Sequence, residues 1–218
     1  GHIGVARDLR AALLWNGGTG TGEGVPALTA AAPQALAEGK GPISLDVEDA
    51  DGAPCYLGIT LRNVQVGPSP EWLQQRLRAI GLEPKNNVVD VTNYVLHDLG
   101  QPLHAFDADR IAGQQVRVRK AKEGEAFTAL DGKEMTLTAA DLVIADAEKP
   151  MCLAGVFGGA HSGVQDGTTS VFLESAWFEP VTIRKSAKRH TLSTDASFRF
   201  ERGVDPEMTA SGMEKAVS

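Results

Sequence analysis

Cysteine is scarce in this chain, and its placement limits the kinds of site that the protein can have. The 218 residues contain two cysteines, Cys55 and Cys152, which are far apart and belong to no Cys-x-x-Cys or Cys/His cluster. Structural zinc sites and disulfide frameworks need cysteines in closer or more numerous sets. We therefore expect two reduced thiols in the protein core and no metal site.

Long apolar runs are absent as well. No stretch approaches the roughly 20 residues that a bilayer-spanning helix requires, and no secretory signal is visible. Hydrophobic residues make up 42% of the chain and charged residues 22%, which is ordinary for a globular protein. These features predict a cytoplasmic protein that does not bind membranes.

A positive net charge is also lacking. The formal net charge of -7 argues against a broad nucleic-acid groove, because neutralising phosphates requires lysine and arginine along a whole face. Residues 184–202 nevertheless hold six basic and two acidic side chains, a local excess that can meet the end of a nucleic-acid strand. A solvated helix face explains equally well the first four of these cations, which are Arg184, Lys185, Lys188 and Arg189.

The hydrophobic pattern predicts an α+β fold with a β-rich mixed core, flanking helices and two intimately packed, interleaved subdomains. Residues 1–42 are interpreted as an N-terminal linker or helical extension, because 16–42 are rich in glycine, alanine, threonine and proline. Residues 43–218 form the main domain. Alternating apolar residues predict strands at 43–47, 55–66, 116–119, 127–130, 134–137, 142–145, 151–157 and 170–173. Helical spacing predicts helices near 70–80, 90–99, 180–188 and 206–217.

Local signals predict where several elements begin and end. Ser69 is the expected N-cap of the helix at 70–80. Gly81 and Gly100 are expected to end helices in the left-handed conformation, and Asp131-Gly132 is expected to form a two-residue hairpin turn. The apolar residues of the helix at 70–80 that we expect to face inward are Trp72, Leu73, Leu77 and Ile80.

Several residue patterns favour a site for a polar ligand. Residues 191–206 combine hydroxyls, small side chains and charges with little apolar filler, which hydrophobic packing alone rarely requires. The glycines of 155–159 lack the Gly-Lys-Ser/Thr ending of phosphate loops, and they permit either tight turns or close approach of a ligand to the backbone. His104 is interpreted as either a structural or a site histidine. Asp107-Ala108-Asp109 is interpreted as a helix cap rather than a metal-binding pair.

Glu174 follows the predicted strand 170–173, where alternation places it beside apolar neighbours. A carboxylate in that place lies either at the rim of the sheet or in a polar pocket that supplies it with partners. In a pocket, it would accept a hydrogen bond from a ligand hydroxyl. No Ser-His-Asp triad, Cys-His pair or pair of hydrolytic carboxylates stands out in the sequence.

Five motifs occur in the order in which they occur in one known family: VVDVTNYVL (88–96), GQPLHAFD (100–107), FGGAHSGV (157–164), TDAS (194–197) and ERGVDP (201–206). The chain resembles the editing module of the bacterial phenylalanyl-tRNA synthetase beta subunit, which consists of the adjacent third and fourth domains of that subunit. The resemblance extends from about residue 4 to the C-terminus, although 16–42 carry little of it.

The resemblance implies hydrolysis of tyrosine mischarged onto phenylalanine tRNA, as a part of aminoacylation in translation. It implies three partners, which are the tRNA 3′ end, tyrosine and a synthetase alpha subunit. The alpha subunit holds the synthetic site, so ATP and magnesium are expected for the parent enzyme and no cofactor for this chain. Motif alignment implies catalytic roles for His104, Thr92 and Thr194, and substrate-binding roles for Glu174, Ala196, Gly158 and Gly159.

Under this expectation, Glu174 makes a charge-assisted hydrogen bond with the phenol of tyrosine. His104 and Thr92 hold the terminal ribose or the attacking water. Thr194 and nearby backbone N–H groups face the acyl group, while Ala196 leaves room for the ring. Two alternatives stay open, which are a module that binds tyrosine or the tRNA end without hydrolysis, and a module that docks the alpha subunit.

Overall fold

The fold is described by a computed structural model that covers residues 1–16, 39 and 41–218. Most of the predicted linker at 16–42 therefore lies outside the described residues. The described residues form six α-helices, which are α1 His2–Asn16, α2 Glu71–Ala79, α3 Asn87–Leu99, α4 Pro180–His190, α5 Asp195–Phe200 and α6 Met208–Val217. The strands are β1 Ser44–Val47, β2 Cys55–Arg62, β3 Leu103–Asp107, β4 Gln115–Lys120, β5 Ala126–Thr128, β6 Glu134–Thr136, β7 Leu142–Ala145, β8 Pro150–Leu153, β9 Phe157–Gly158 and β10 Ser170–Trp177.

The strands form three sheets. The five-stranded sheet has the order β1-β4-β7-β8-β9, the three-stranded sheet has the order β2-β10-β3, and β5 pairs with β6. Only the β1–β4 pairing is parallel among these described pairs. The predicted α+β class is confirmed, while the division into two subdomains stays a prediction.

The three-stranded sheet is buried on both faces. Because side chains alternate along a strand, Phe172 and Ala176 of β10 join the main core with the five-stranded sheet. Val171 and Leu173 lie on the opposite face, in a smaller cluster with Met213 of α6. Glu174 shares the parity of Phe172 and Ala176, so its side chain points into the space between the two sheets.

The helix that precedes this sheet differs from the prediction in its cap and in its buried face. Ser69 does not cap α2, because its hydroxyl donates to Asp90 Oδ2 at 2.5 Å, and Pro70 occupies the N-cap position without a side-chain bond. Leu73 and Leu77 are buried, but Trp72 is 52% exposed and Ile80 is 38% exposed. The predicted inward face was therefore half wrong.

The next helix starts earlier than predicted. α3 begins at Asn87 rather than at residue 90, because the side chain of Asn86 accepts a hydrogen bond from the Val89 N–H at 2.9 Å. Its predicted end is confirmed, since Gly100 has a left-handed φ of 87°. Asparagine is among the preferred N-cap residues because its side-chain oxygen satisfies an otherwise unpaired N–H of the first turn.

The predicted two-residue hairpin turn is a three-residue loop. The Ala129 N–H donates to Lys133 O at 2.9 Å, and the Gly132 N–H donates to Ala129 O at 2.8 Å. Gly132 has a φ of 83°, which is the left-handed position that closes such loops. The predicted strand at 151–157 is likewise two strands, β8 and β9, because Gly155 turns the chain with a φ of 65°.

Helices long and apolar enough to cross a lipid bilayer are not found within residues 1–16, 39 and 41–218.

Candidate functional site

Glu174 lies in the middle of a central strand, which overturns its predicted place at a strand end. β10 continues for three residues beyond it, to Trp177, and pairs with β2 on one side and β3 on the other. In this register Glu174 stands opposite Gly58 on β2 and opposite His104 on β3. Its side chain is buried, with 5% of the residue exposed. Of the two positions left open by the sequence, the structure shows the pocket and not the rim.

The buried carboxyl of Glu174 is hydrogen bonded to a tyrosine. The hydroxyl of Tyr56 on β2 donates to Glu174 Oε2 at 2.6 Å. Burial raises the pKa of Glu174 to about 8, and the bond from Tyr56 offsets this only in part. The carboxyl is therefore largely protonated at pH 7. A neutral carboxyl makes neutral hydrogen bonds, so the expected charge-assisted bond stays a prediction for pH values above this pKa.

A cavity lies beside this carboxyl and brings together four of the seven expected site residues. It has a volume of about 360 Å³, including the part that is open to solvent. We call it the Glu174 cavity. Its walls carry Glu174, His104, Gly158 and Ala196, together with Pro102, Leu103, Cys152, Gly155, Val156, Phe157 and Phe200.

His104 presents a neutral imidazole to this cavity. Its ring is half-buried and meets Phe106 edge to face with ring centroids 4.5 Å apart. Burial lowers the pKa of His104 to about 4, so the ring is uncharged at pH 7 and has one nitrogen free to accept a hydrogen bond. No hydrogen bond joins its ring nitrogens to any residue in the described part of the chain.

Gly158 provides the space that this imidazole occupies. A Cβ added to Gly158 would lie 3.0 Å from His104 Cε1, which is closer than carbon atoms pack without a shift. The glycine therefore acts through His104, by leaving room for the ring beside β9.

We expect Gly158→Ala to push the imidazole of His104 toward solvent. The pKa of His104 should then rise from about 4 toward its ordinary value of about 6.5, because burial is the cause of the shift. Titration of the ring by NMR measures this directly. Gly167→Ala is the matched control, since no atom lies within 4 Å of its added Cβ. An unchanged His104 titration in Gly158→Ala would contradict the proposed packing.

Ala196 reaches the cavity because a cap holds α5 in place. Thr194 caps this helix: its hydroxyl accepts from the Ser197 N–H at 3.0 Å and donates to Val156 O at 3.0 Å. The second bond ties α5 to the turn between β8 and β9. Thr194 itself is not among the residues that line the cavity, and its role of facing the acyl group stays a prediction.

Thr92 and Gly159 are not among the residues that line the cavity. The hydroxyl of Thr92 donates to Val89 O at 2.7 Å within α3. Gly159 points to the other side of β8 and β9, and a Cβ there would lie 2.5 Å from Met151 O. Backbone packing therefore explains Gly159. Neither residue is among those that line the Glu174 cavity, and the roles expected for them stay predictions.

Two residues of the site were missed by the sequence reasoning. Tyr56 appeared only as part of an alternating strand, because nothing local links it to a glutamate 118 residues away. Cys152 was expected in the core and is buried there. Burial raises the pKa of its thiol well above the ordinary value, with a further increase from Glu174. The thiol donates to Phe157 O at 3.2 Å and is not a nucleophile.

Three of the four cations in residues 184–189 are exposed to solvent, and the fourth is paired with a carboxylate. Arg184, Lys185 and Lys188 form an exposed face of α4, as the solvated-helix interpretation predicts, and Arg189 beside them pairs with Asp141. Asp107 caps a short 3-10 helix by accepting from the Asp109 N–H at 3.1 Å. Within the described ranges, no three His, Cys, Asp or Glu side chains lie close enough together to hold a metal ion.

Comparison with known proteins gives consistent matches. A family model described as the B3/4 domain matches residues 52–218. The phenylalanine–tRNA ligase beta subunit of Porphyromonas gingivalis is 51% identical over 100% of this chain and 26% of its own length. That of Bacteroides fragilis is 52% identical over 95% of this chain and 25% of its own length. The chain thus spans about a quarter of these relatives.

One solved structure is also similar to part of this chain. It is an N-terminal fragment of the phenylalanyl-tRNA synthetase beta subunit from Pyrococcus horikoshii. The match covers 72% of this chain and 52% of that one, with a TM-score of 0.48 and 14% sequence identity.

Proposed function

The chain belongs to the B3/4 domain family, and from this premise we propose that the Glu174 cavity hydrolyses the ester of tyrosine mischarged onto phenylalanine tRNA. The observation that carries the proposal is a buried carboxyl with one oxygen that accepts no hydrogen bond from a described residue. Tyr56 donates to Oε2 of Glu174, while Oε1 has no hydrogen-bond partner within the described ranges. A carboxyl oxygen beside a cavity lined by aromatic and small residues suits an aromatic ring that carries a hydroxyl.

Editing selects for the group that synthesis rejects poorly. Tyrosine is phenylalanine with one added hydroxyl, and an apolar synthetic pocket discriminates against such an addition by only about a hundredfold. In the Glu174 cavity the hydroxyl finds a partner at Oε1. Phenylalanine would leave that polar oxygen buried and unpaired, which costs about 1–3 kcal/mol. The cavity therefore favours the noncognate amino acid.

The remaining walls fit an aromatic ring. Gly155, Gly158 and Ala196 contribute little bulk, while Phe157 and Phe200 provide aromatic surface. Gly155 is restricted to glycine, because an added Cβ would lie 3.0 to 3.2 Å from Phe200, Phe178 and Ile183. We propose that the ring of the ligand packs among these small and aromatic residues.

For hydrolysis we assign His104 the task of orienting the attacking group. Its neutral imidazole lies directly opposite Glu174 in the sheet register, so the hydroxyl reader and the imidazole face the same cavity. A histidine with a pKa near 4 is a poor proton acceptor at pH 7. It can accept a hydrogen bond from water or from a terminal ribose hydroxyl and so hold it against the ester carbonyl.

The proposal extends to the parent subunit, of which this chain spans about a quarter. We propose that the parent works with an alpha subunit and the 3′ end of phenylalanine tRNA, and that ATP and magnesium serve synthesis elsewhere in the enzyme. The described residues of this chain offer no carboxylate cluster for magnesium. The editing chemistry assigned here uses only side chains, water and the tRNA.

The direct test compares deacylation of tyrosyl-tRNA and phenylalanyl-tRNA, both on phenylalanine tRNA, by this chain. We expect hydrolysis of the tyrosyl ester above the spontaneous rate and little hydrolysis of the phenylalanyl ester. Tyrosine binding without turnover would reduce the function to ligand binding. Equal rates with both esters, or the absence of any tyrosine-dependent thermal shift, would leave docking of the alpha subunit as the better explanation.

Ala196→Trp should fill the Glu174 cavity and lower tyrosyl-tRNA deacylation by about a hundredfold or more, since misplacing a substrate by an ångström has effects of that size. Ala196 is partly exposed on α5, so the fold should tolerate the change. The rate is measured together with the thermal unfolding midpoint. Phe198→Trp, on an exposed face of the same helix, is the matched control. Full activity in Ala196→Trp would remove this residue from the cavity wall.

A further inference from the structure

The hydroxyl of Tyr56 is held in a fixed place by the core. Tyr56 is 8% exposed, and its ring meets Phe178 edge to face with centroids 6.4 Å apart. Phe178 packs in the same way on Phe200, at 5.0 Å, and Phe200 forms part of the cavity wall. A chain of aromatic contacts therefore connects the position of this hydroxyl to the wall of the site.

That hydroxyl determines which oxygen of Glu174 is available to a ligand. A carboxyl group on a flexible side chain rotates easily about its last bond, and on its own it would present either oxygen. The 2.6 Å bond from Tyr56 occupies Oε2. On the same strand as Tyr56, Gly58 lies opposite Glu174 and offers no side chain that could bond to Oε1. One oxygen is thus committed and the other is free.

We propose that Tyr56 is a positioning residue for hydroxyl recognition, which binds one oxygen of Glu174 so that the other faces the ligand's phenol. This inference rests on the proposed function of the same cavity. The class of ligand is an aromatic amino acid with a para-hydroxyl group. Tyr56 never contacts the reacting ester, and it acts only by orienting the carboxyl.

Oε1 of Glu174 can bond to the ligand's phenol whether the carboxyl is neutral or ionised. When Glu174 is neutral, Tyr56 occupies Oε2 as a donor, so the acid proton lies on Oε1 and is donated to the phenol oxygen. When Glu174 is ionised, Oε1 accepts the phenol proton in a stronger, charge-assisted bond. The preference for tyrosine should therefore increase as the pH passes about 8, the pKa of Glu174. Phenylalanine offers no partner in either state.

Removing the hydroxyl of Tyr56 should change both the size and the pH dependence of this preference. The hydrogen bond from Tyr56 lowers the pKa of Glu174. In Tyr56→Phe the inflection in the plot of tyrosine preference against pH should therefore move to a higher pH. The substitution should also reduce the preference by about tenfold, the equivalent of one ordinary hydrogen bond. The inflection distinguishes positioning from a structural role, because loss of packing alone would not move a titration.

The experiment measures dissociation constants of free L-tyrosine and L-phenylalanine by calorimetry between pH 6 and 9. Their ratio cancels the titration of the ligands' amino groups. Tyr94→Phe is the matched control, since it removes the only other tyrosine hydroxyl of the chain, which receives a bond from Arg76 on the surface. We expect Tyr94→Phe to keep the wild-type ratio and inflection.

The outcomes distinguish failure of the proposed function from failure of the positioning role of Tyr56. If wild type shows no preference for tyrosine, the proposed function fails and the role of Tyr56 fails with it. If wild type prefers tyrosine and Tyr56→Phe keeps both the ratio and the inflection, only the positioning role is overturned.

A second measurement keeps the inference testable if Tyr56→Phe does not fold. In the Tyr94→Phe background Tyr56 is the single tyrosine, so growth on 3-fluorotyrosine labels it alone. The fluorinated phenol is a stronger donor, which should move the inflection to a lower pH. An unmoved inflection would overturn the positioning role.

Discussion

Glu174→Ala should reduce the ratio of tyrosyl-tRNA to phenylalanyl-tRNA deacylation by about a hundredfold, which corresponds to a lost hydrogen bond in a site where the unpaired group is costly. The tyrosyl rate should fall, and the phenylalanyl rate should stay the same or rise, because phenylalanine no longer leaves a buried carboxyl oxygen unpaired. Deacylation of both esters at several pH values measures this. Glu134→Ala, which removes an exposed carboxylate from β6, is the control.

Two further variants separate the contribution of the Tyr56 hydroxyl from that of the carboxyl charge. In Glu174→Ala the hydroxyl of Tyr56 loses its partner and can donate to a ligand phenol, so some preference should survive. The double variant Glu174→Ala with Tyr56→Phe should remove it. Glu174→Gln imitates the neutral carboxyl and should keep most of the preference at pH 7 while losing the inflection near pH 8. If both rates fall equally in Glu174→Ala, Glu174 supports the cavity without reading the hydroxyl.

The contents of the site were more predictable from the sequence than its geometry. Motif resemblance named His104, Glu174, Gly158 and Ala196, and the structure places all four on one cavity. It could not show that Glu174 is protonated at pH 7, because this follows from burial between two sheets, which the hydrogen bond from Tyr56 offsets only in part. Burial and bond both depend on contacts between residues that are distant in sequence.

The three expected site residues that do not line the cavity all bond to the main chain. Thr92, Thr194 and Gly159 belong to motifs near the cavity, but each is satisfied by neighbouring backbone. Thr92 bonds within its own helix, and Thr194 caps α5. Hydroxyl residues often bond to the nearby main chain in this way, and a sequence gives no sign of which hydroxyls remain free. Motif membership therefore predicted the neighbourhood and not the individual contacts.

Predictions of the fold were also correct where nearby sequence determines the structure, and wrong where residues distant in sequence determine it. Strand β7 and the helix end at Gly100 depend on local pattern and were predicted correctly. The N-cap at Ser69 failed because Asp90, 21 residues later, takes its hydroxyl. The strand end at 173 failed because β10 keeps pairing with β2 as far as Trp177. Tertiary partners decided both cases.

Asp141 joins the five-stranded sheet to the helix that leads to the cavity. It precedes β7, is fully buried, and accepts hydrogen bonds from Ser186 at 2.6 Å and His190 at 2.9 Å, both on α4. Arg189 pairs with the same carboxylate. Burial alone would raise the pKa of Asp141, but the hydrogen bonds from Ser186, His190 and the Thr138 backbone lower it to about 2. The carboxylate is therefore ionised in the folded protein.

We expect Asp141→Asn to lower the free energy of unfolding by about 3 kcal/mol at pH 7, because it removes the charge from a buried, fully bonded ion pair. The effect should depend on pH. A carboxyl whose pKa is depressed by folding stabilises the protein above its unfolded value of 3.8 and loses that contribution as the pH falls toward 2. Urea unfolding of wild type and variant from pH 7 to pH 3 measures the difference, which should shrink below about pH 4.

The same substitution connects stability to the site. α4 ends at His190, and the chain then passes through Thr194 into α5, which carries Ala196 and Phe200 to the cavity. Loosening α4 should therefore weaken tyrosine binding in the variant even where most molecules remain folded. Asp109→Asn, at an exposed aspartate, should change neither stability nor binding. A stability difference that stays constant down to pH 3 would show that Asp141 acts through its shape and hydrogen-bond geometry, and not through its charge.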